Sequence, residues 1–209
     1  EQAAQQSYNF IEDYEISFMI VFIVLVTLLI LYIVYENHTR NKELLKYAQT
    51  DALTGLYNKE TTEQLTDELL SEDENKSHAF LILDVDCFKQ INDIYGHAVG
   101  DIVLQKFGKL LKGTFREGDI LGRIGGDEFG VIMKNIQTKD IAMKKAGELL
   151  AKTQAYRIDE LKGNNISISI GISTAPQDGD CYMDLYKRAD QALYQAKRSG
   201  KARVCNYFS

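Results

Sequence analysis

Asp127 and Glu128 stand side by side in the stretch Arg123-Ile124-Gly125-Gly126-Asp127-Glu128-Phe129-Gly130-Val131-Ile132-Met133. β-forming residues on both sides of two glycines predict a strand, a tight turn and a second strand, with both carboxylates at the tip of the hairpin. Acids in a turn are equally well accounted for by solvation. A second stretch, Leu81-Ile82-Leu83-Asp84-Val85-Asp86-Cys87-Phe88-Lys89, shifts the balance, because there an apolar strand runs into acids. Carboxylates from two strand ends can converge on one ion, and an all-oxygen ligand set suits Mg²⁺. Divalent ions held that way can stabilise charge on the attacking and leaving oxygens of a phosphoryl group.

Periodicity gives the elements that must position these acids. The strand Ala79 to Asp84 is followed by a short helix, Phe88 to Tyr95. After Gly96-His97-Ala98-Val99-Gly100 a longer helix opens at Asp101, with Val103, Leu104, Phe107, Leu110 and Leu111 at core spacing. Asp at a helix start reads as an N-cap, and His97, a lone histidine in a turn, as a structural hydrogen-bonder. Upstream, Asp51 to Lys59 turns at Gly55 into a helix carrying Leu65, Leu69 and Leu70. Downstream, Ile141 to Ile158 is amphipathic. Ile166 to Ile172 alternates strictly, one face apolar and the other small, as a strand packed closely under another element would. Leu185, Ala189, Ala192, Leu193 and Ala196 line one face of a last helix, and Ala202 to Phe208 is the closing strand. Alternating strands and helices with one hairpin predict an α/β sandwich with a mixed, mostly antiparallel central sheet flanked by helices.

Of the 209 residues, 45% are hydrophobic, enough for a sizeable core, and the net charge of −6 excludes a general nucleic-acid binder. A nucleotide must therefore be met by local cations. The three cysteines, Cys87, Cys181 and Cys205, have neither disulfide-framework nor metal-finger spacing and read as reduced thiols. The first residue is Glu1 rather than Met, which predicts a fragment or a processed form with room for an upstream sensor. Residues 1–15 are polar and acidic. The uncharged run 16–35 would span ~30 Å as a helix, the thickness of a bilayer core, and has no polar face, which predicts a single transmembrane helix. No basic residue precedes it, while Arg40, Lys42 and Lys46 follow, so residues 36 onward are placed in the cytoplasm and 1–15 outside. Residues 36–50 read as a charged linker helix with Leu44, Leu45 and Ala48 as apolar positions. A short coiled coil and a solvated connector both fit that pattern.

Three motifs in order, DALTGLYNK at 51–59, DVDCFKQINDIYGHAVGD at 84–101 and GGDEF at 125–129, make residues 48–209 resemble the GGDEF-domain diguanylate cyclases. These bacterial enzymes condense two GTP into cyclic di-GMP. The resemblance implies a nucleotidyl-cyclase-type, palm-like fold over 51–209, working as a homodimer at the bacterial cytoplasmic membrane. It implies two Mg²⁺ or Mn²⁺ ions per active site, held by Asp84, Asp127 and the Val85 carbonyl. Glu128 would either help deprotonate the attacking hydroxyl or hold a metal, and Lys89 adds positive charge to this catalytic set. Main-chain N–H groups of Cys87 and Phe88, at a helix start, form an anion-binding type of site. Lys197 and Lys201 match the family's phosphate-binding cations, although a helix C-terminus dressed with cations also accounts for them. Family members often carry Arg then Asn where this chain has Lys201 and Ala202; lysine keeps the charge and loses the bidentate fork. Asn92 and Asp101 match the guanine-reading positions. Arg116 and Asp119, with five residues between Asp119 and Gly125, fit the family's RxxD site for inhibition by the product. The alternative is a catalytically silent domain that binds GTP or cyclic di-GMP as a signalling module.

Overall fold

The computed structural model describes residues 18–19, 23–38, 40, 48–72 and 76–207. The chain divides into two compact units, Glu1–Ala48 and Gln49–Ser209. In the first, residues 23–38 form helix α1, whose apolar side chains, among them Ile23, Leu25, Leu28, Leu29 and Leu31, are exposed. No helix among the described residues is long and apolar enough to cross a membrane. Residues 16, 17 and 20–22 of the expected span, all of 1–15, and 41–47 of the expected linker helix with Leu44 and Leu45 lie outside the described residues.

The second unit runs α2 (Lys59–Glu72), β1 (His78–Val85), α3 (Phe88–Tyr95), α4 (His97–Lys112), β2 (Ile120–Arg123), β3 (Glu128–Met133), α5 (Lys139–Ala155), β4 (Ile168–Ala175), α6 (Tyr182–Arg198) and β5 (Val204–Asn206). The strands form one sheet in the order β2-β3-β1-β4-β5. The pairs β2 with β3, β3 with β1 and β1 with β4 are antiparallel, and β4 with β5 is parallel, so the sheet is mixed and mostly antiparallel.

Strand β1 lies at the centre and is buried along its length, which is why it reads as a continuous apolar run. The two-residue period divides its side chains between two cores. Ala79, Leu81, Leu83 and Val85 pack with Val103, Phe107 and Leu111 of α4 and with Ala142, Ala146 and Leu149 of α5. Phe80 and Ile82 pack with Leu69 and Leu70 of α2 and Leu185, Ala189 and Leu193 of α6. Burying each large apolar side chain contributes roughly 1.5–3 kcal/mol, so β1 anchors the sheet and offsets the cost of the acids at its end.

The small face of β4 serves close approach, as its alternation predicts. A Cβ built on Gly171 would lie 2.1 Å from the Ala189 carbonyl oxygen and 2.3 Å from the Leu193 nitrogen, both backbone atoms of α6. Ser173 Oγ donates to the Leu185 carbonyl at 2.8 Å on the same face.

Two local expectations change. Helix α4 begins at His97 with Gly96 at the cap, so Asp101 sits inside the helix and is not its N-cap. The closing strand is only Val204–Asn206, because residues 199–203 are spent in a turn that includes left-handed Lys201 and Ala202.

Gly171→Ala is expected to destabilise the domain by about 1–3 kcal/mol, since the atoms it strikes are main chain and cannot rotate away. Gly147→Ala, on the exposed side of α5 with nothing within 4 Å, is expected to stabilise by about 0.5–1 kcal/mol. Urea midpoints of the two variants check both signs.

Candidate active site

The even-numbered face of β1 changes character along the strand: Phe80 and Ile82 are apolar and Asp84 is acidic, with Asp86 in the turn just past the strand's end. Across the ladder Asp84 is directly opposite Glu128, the first residue of β3. Opposed residues on antiparallel strands hold their Cβ atoms about 4.5–5.5 Å apart on one face, and like charges so placed repel. Asp127 is adjacent in the turn, and its carbonyl accepts the Val85 N–H at 3.2 Å, which pins the hairpin tip to the end of β1. Three carboxylates thus meet where the sheet emerges from its cover.

One cation answers them directly. Lys197, in the last turn of α6, has its Nζ 2.6 Å from Asp84 Oδ2. Lys197, which the resemblance matches to a phosphate-binding cation, is paired here with a carboxylate. Burial still raises the Asp84 carboxyl above its ordinary value, against the Lys197 hydrogen bond and charge and with Asp127 and Asp86 adding to the rise. Burial, then the charge of Asp84, raises Glu128 as well. A cluster that one lysine leaves under-neutralised, offering only carboxylate and carbonyl oxygens, fits a hard divalent ion. Asp84, Asp127 and the Val85 carbonyl are the groups that would hold it, with Glu128 beside them.

The tip is shaped by packing. Neither Gly125 nor Gly126 has a positive φ. A Cβ on Gly125 would stand 2.9 Å from Glu128 Oε2 and 3.2 Å from its Cβ, so a larger residue there would crowd the Glu128 side chain where it folds over the turn. The Ile124 and Gly125 N–H groups both donate to the Glu128 carbonyl, at 3.0 and 3.2 Å. Arg123 closes the outside. Its Nε and Nη2 donate to the Gly126 carbonyl at 3.2 and 2.7 Å, and its Nη1 reaches both Asp51 oxygens at 3.2 and 3.1 Å. Although burial pushes Asp51 up, hydrogen bonds from Thr54 and the Arg123 charge hold its carboxyl below the ordinary value. The 51–59 turn therefore grips the hairpin directly. Tyr57 also donates to the Leu121 carbonyl at 3.0 Å and accepts from the Arg123 N–H at 2.8 Å.

On the other side of the acids the chain turns at Cys87, φ 58°, into α3. The first N–H groups of a helix have no carbonyl one turn earlier to bond, so those of Phe88 and Lys89 are left to other acceptors, an arrangement that suits an anion. Lys89 is exposed in that turn. Lys201 comes from the far end of the chain and places its Nζ 3.1 Å from Cys87 Sγ. Lys201 and Ala202 are both left-handed, φ 60° and 49°, a conformation costing about 1–2 kcal/mol per non-glycine residue.

Asp86, grouped in the sequence with acids able to bind metal, is occupied otherwise. Ser169 Oγ donates to its Oδ1 at 2.7 Å; Ser167 Oγ and the Ala202 N–H donate to its Oδ2 at 2.6 and 3.1 Å. Asp84 and Asp86 share a face by period, but pairing with serines 81 and 83 residues away carries no local signal.

Asn92 and Asp101 come together because α4 packs on α3. Asn92 Oδ1 is buried with no hydrogen-bond partner. It lies where a Cβ on Gly100 would be 1.9 Å away, and exposed Asp101 is the next residue. The Asn92 side chain and the Asp101 carboxylate thus belong to neighbouring turns of the two packed helices. Arg116 and Asp119 lie apart, between α4 and β2. Asp119 is buried rather than solvated. Its Oδ1 takes the Arg116 Nε at 3.0 Å and the Lys134 N–H at 3.1 Å, while Arg116 also donates to the Lys134 carbonyl. The Arg116 side chain is 61% exposed.

Comparison with known proteins gives the same answer from sequence and from structure. Residues 48–203 match the family described as diguanylate cyclase, GGDEF domain. Diguanylate cyclase A of Treponema denticola is 36% identical over 170 residues, 78% of this chain and 46% of that protein. The isolated GGDEF domain of TpbB from Pseudomonas aeruginosa superposes with a TM-score of 0.72 at 33% identity, covering 76% of this chain and 94% of that one. The GGDEF domain of DgcB from Caulobacter crescentus, solved in complex with c-di-GMP, superposes at 0.71 with 26% identity over 78% of this chain and 94% of that one. The chain spans about half the length, or less, of the curated relatives it matches, 46%, 52% and 39% for the first three.

The raised carboxyls fix a pH dependence. With folded values above the ordinary 3.8 and 4.5, the folded state holds these protons more tightly than the unfolded chain, so stability falls as pH rises through that window. Without divalent cations, Glu128→Gln is expected to melt above the native chain at about pH 7 and level with it at about pH 4. Millimolar Mg²⁺ is expected to narrow the gap, because the ion offsets the Glu128 charge that only the native chain carries. Melting curves at the two pH values, with and without Mg²⁺, check this.

Proposed function

The chain belongs to the GGDEF-domain family, and from that premise we propose that it is a diguanylate cyclase, joining two GTP into cyclic di-GMP with release of two pyrophosphates. The observation that carries the reading is the opposition of Asp84 and Glu128 across β1 and β3, with Asp127 beside them and Lys197 as counter-charge. Such an arrangement is costly to fold and useful where concentrated negative charge must meet cations and phosphate.

Two divalent cations, Mg²⁺ or Mn²⁺, bound at Asp84, Asp127 and the Val85 carbonyl would supply charge neutralisation at the attacking and leaving oxygens. The chain's own groups do the rest. Glu128, its carboxyl raised by burial and by Asp84, is suited to take the proton of the attacking 3′-hydroxyl, since a base works best with a pKa nearer the working pH. The N–H groups at the start of α3, with Lys89 and Lys201, hold the triphosphate, and Lys197 adds charge at the end of β1. The Asn92 amide and the Asp101 carboxylate meet the guanine edge, with Asp101 accepting from its N–H groups. One copy of the site holds one GTP, and each 3′-hydroxyl must reach the opposite α-phosphate. Two chains therefore face each other in the working enzyme, which gains rate by positioning the reactants.

The exposed Arg116 guanidinium, held by Asp119 and the Lys134 carbonyl, is a pre-set donor for product phosphates, which supports product inhibition at this turn. The uncharged run 16–35, the exposed apolar side chains of α1 and the basic residues that follow support a single membrane anchor with the catalytic unit in the cytoplasm of a bacterium.

Incubation with GTP and Mg²⁺, with products resolved by chromatography, tests the central reading. The native chain is expected to make cyclic di-GMP and Asp127→Ala to make less than about one-hundredth as much, with an unchanged melting transition. Nucleotide binding without turnover, in an enforced dimer as well, would favour a silent signalling domain. Added cyclic di-GMP is expected to slow the native enzyme and to leave Arg116→Ala at least about tenfold less sensitive, measured as the half-inhibiting concentration.

A further inference from the structure

We propose that Asp86 is a positioning residue for triphosphate binding: its buried carboxylate holds the left-handed Lys201-Ala202 turn against the start of α3, and so fixes where the Lys201 ammonium stands. The inference rests on the cyclase reading, in which Lys201 meets the triphosphate.

Four observations carry it. Asp86 is 7% exposed, and both its oxygens are occupied, by Ser169 on one and by Ser167 and the Ala202 N–H on the other. With its Oδ lone pairs pointed at these donors, it is not disposed to ligate a metal with Asp84. Its own N–H donates to the Ser167 carbonyl at 2.8 Å, so main chain and side chain are both fixed to the segment entering β4.

The turn it holds is one the local sequence disfavours. Lys201 and Ala202 are consecutive left-handed residues without a glycine or asparagine between them, and such a pair persists only where its surroundings over-determine it. Three ties do so. The Lys201 N–H donates to the Ala196 carbonyl at 3.1 Å, the Arg203 carbonyl accepts the Ile170 N–H at 2.9 Å, and the Ala202 N–H reaches Asp86. The first two fasten the turn to α6 and β4; among the described residues the Asp86 bond alone fastens its backbone to the turn between β1 and α3.

The consequence is a one-residue match between two distant segments. Ala202 bonds Asp86, and Lys201, the residue before it, lays its ammonium 3.1 Å from the sulfur of Cys87, the residue after Asp86. That puts a flexible lysine beside the first N–H groups of α3, where a phosphate gains from both. Lysine lacks the pre-organised fork of arginine, so a rigid backbone beneath it matters more.

The test is the affinity of the full chain for a GTP analogue with a methylene bridge between the α- and β-phosphates, in Mg²⁺, by calorimetry. Asp86→Asn, which keeps shape and loses charge, is expected to weaken binding about tenfold, as for one charge-assisted hydrogen bond. Lys201→Ala is expected to do the same, and the double variant to bind no more weakly than Lys201→Ala alone. Additive losses would overturn the proposal, because Asp86 would then act independently of Lys201. So would equal affinity of Asp86→Asn and native chain, or a rise in the Mg²⁺ concentration required, which is the mark of a metal ligand. A native chain that binds no analogue would instead bring down the cyclase reading itself. Should Asp86→Asn fail to fold, Ser169→Ala removes one of the same bonds and is held to the same non-additivity with Lys201→Ala.

Discussion

Repulsion between carboxylates at the end of a buried strand is the constraint on which the rest of this domain depends. Asp84 cannot move away from Glu128, because the ladder that opposes them is the same ladder that aligns Leu81 with Val131 and Leu83 with Phe129. Slipping the register by one residue would relieve the acids and turn every buried side chain of β3 to the wrong face. The core therefore holds the acids together, and the energy for doing so comes from apolar burial on both sides of β1. A site that stores unfavourable charge has an affinity for cations built into the fold, whatever ion or phosphate then arrives.

Around that strained centre the domain places fixed hydrogen bonds at each flexible point. Arg123 ties the hairpin tip to Asp51, so a turn that begins one residue after Thr50 is mechanically continuous with Asp127 and Glu128. Asp86 ties the start of α3 to β4 and to the turn after α6. Both are buried or half-buried polar contacts with their partners satisfied, the condition under which such networks specify geometry rather than merely cost desolvation. Lys89, Asp101 and Arg116 are by contrast exposed, and their positions derive from the elements beneath them.

The sequence by itself determined the order and type of the elements and which residues share a face. Alternation in Ile166 to Ile172 announced a strand packed closely under another element, and the structure makes that element α6, with Gly171 beneath Ala189. The acid motifs and their spacing carried the chemistry, because carboxylates at two strand ends have few structural uses. Local signals also misled in definite ways: Asp101 has the residue type of an N-cap, but packing on α3 starts the helix one turn earlier at His97. The glycines of the hairpin announced a tight turn, and the structure adds that Gly125 faces the Glu128 side chain. Only the tertiary structure decided which acid pairs with what. Lys197 on Asp84, two serines and an amide on Asp86, and Arg123 on Asp51 join residues far apart in the chain. Periodicity fixes a side chain's face within one element, whereas partners across elements are set by how the layers pack, and no short stretch of sequence records that.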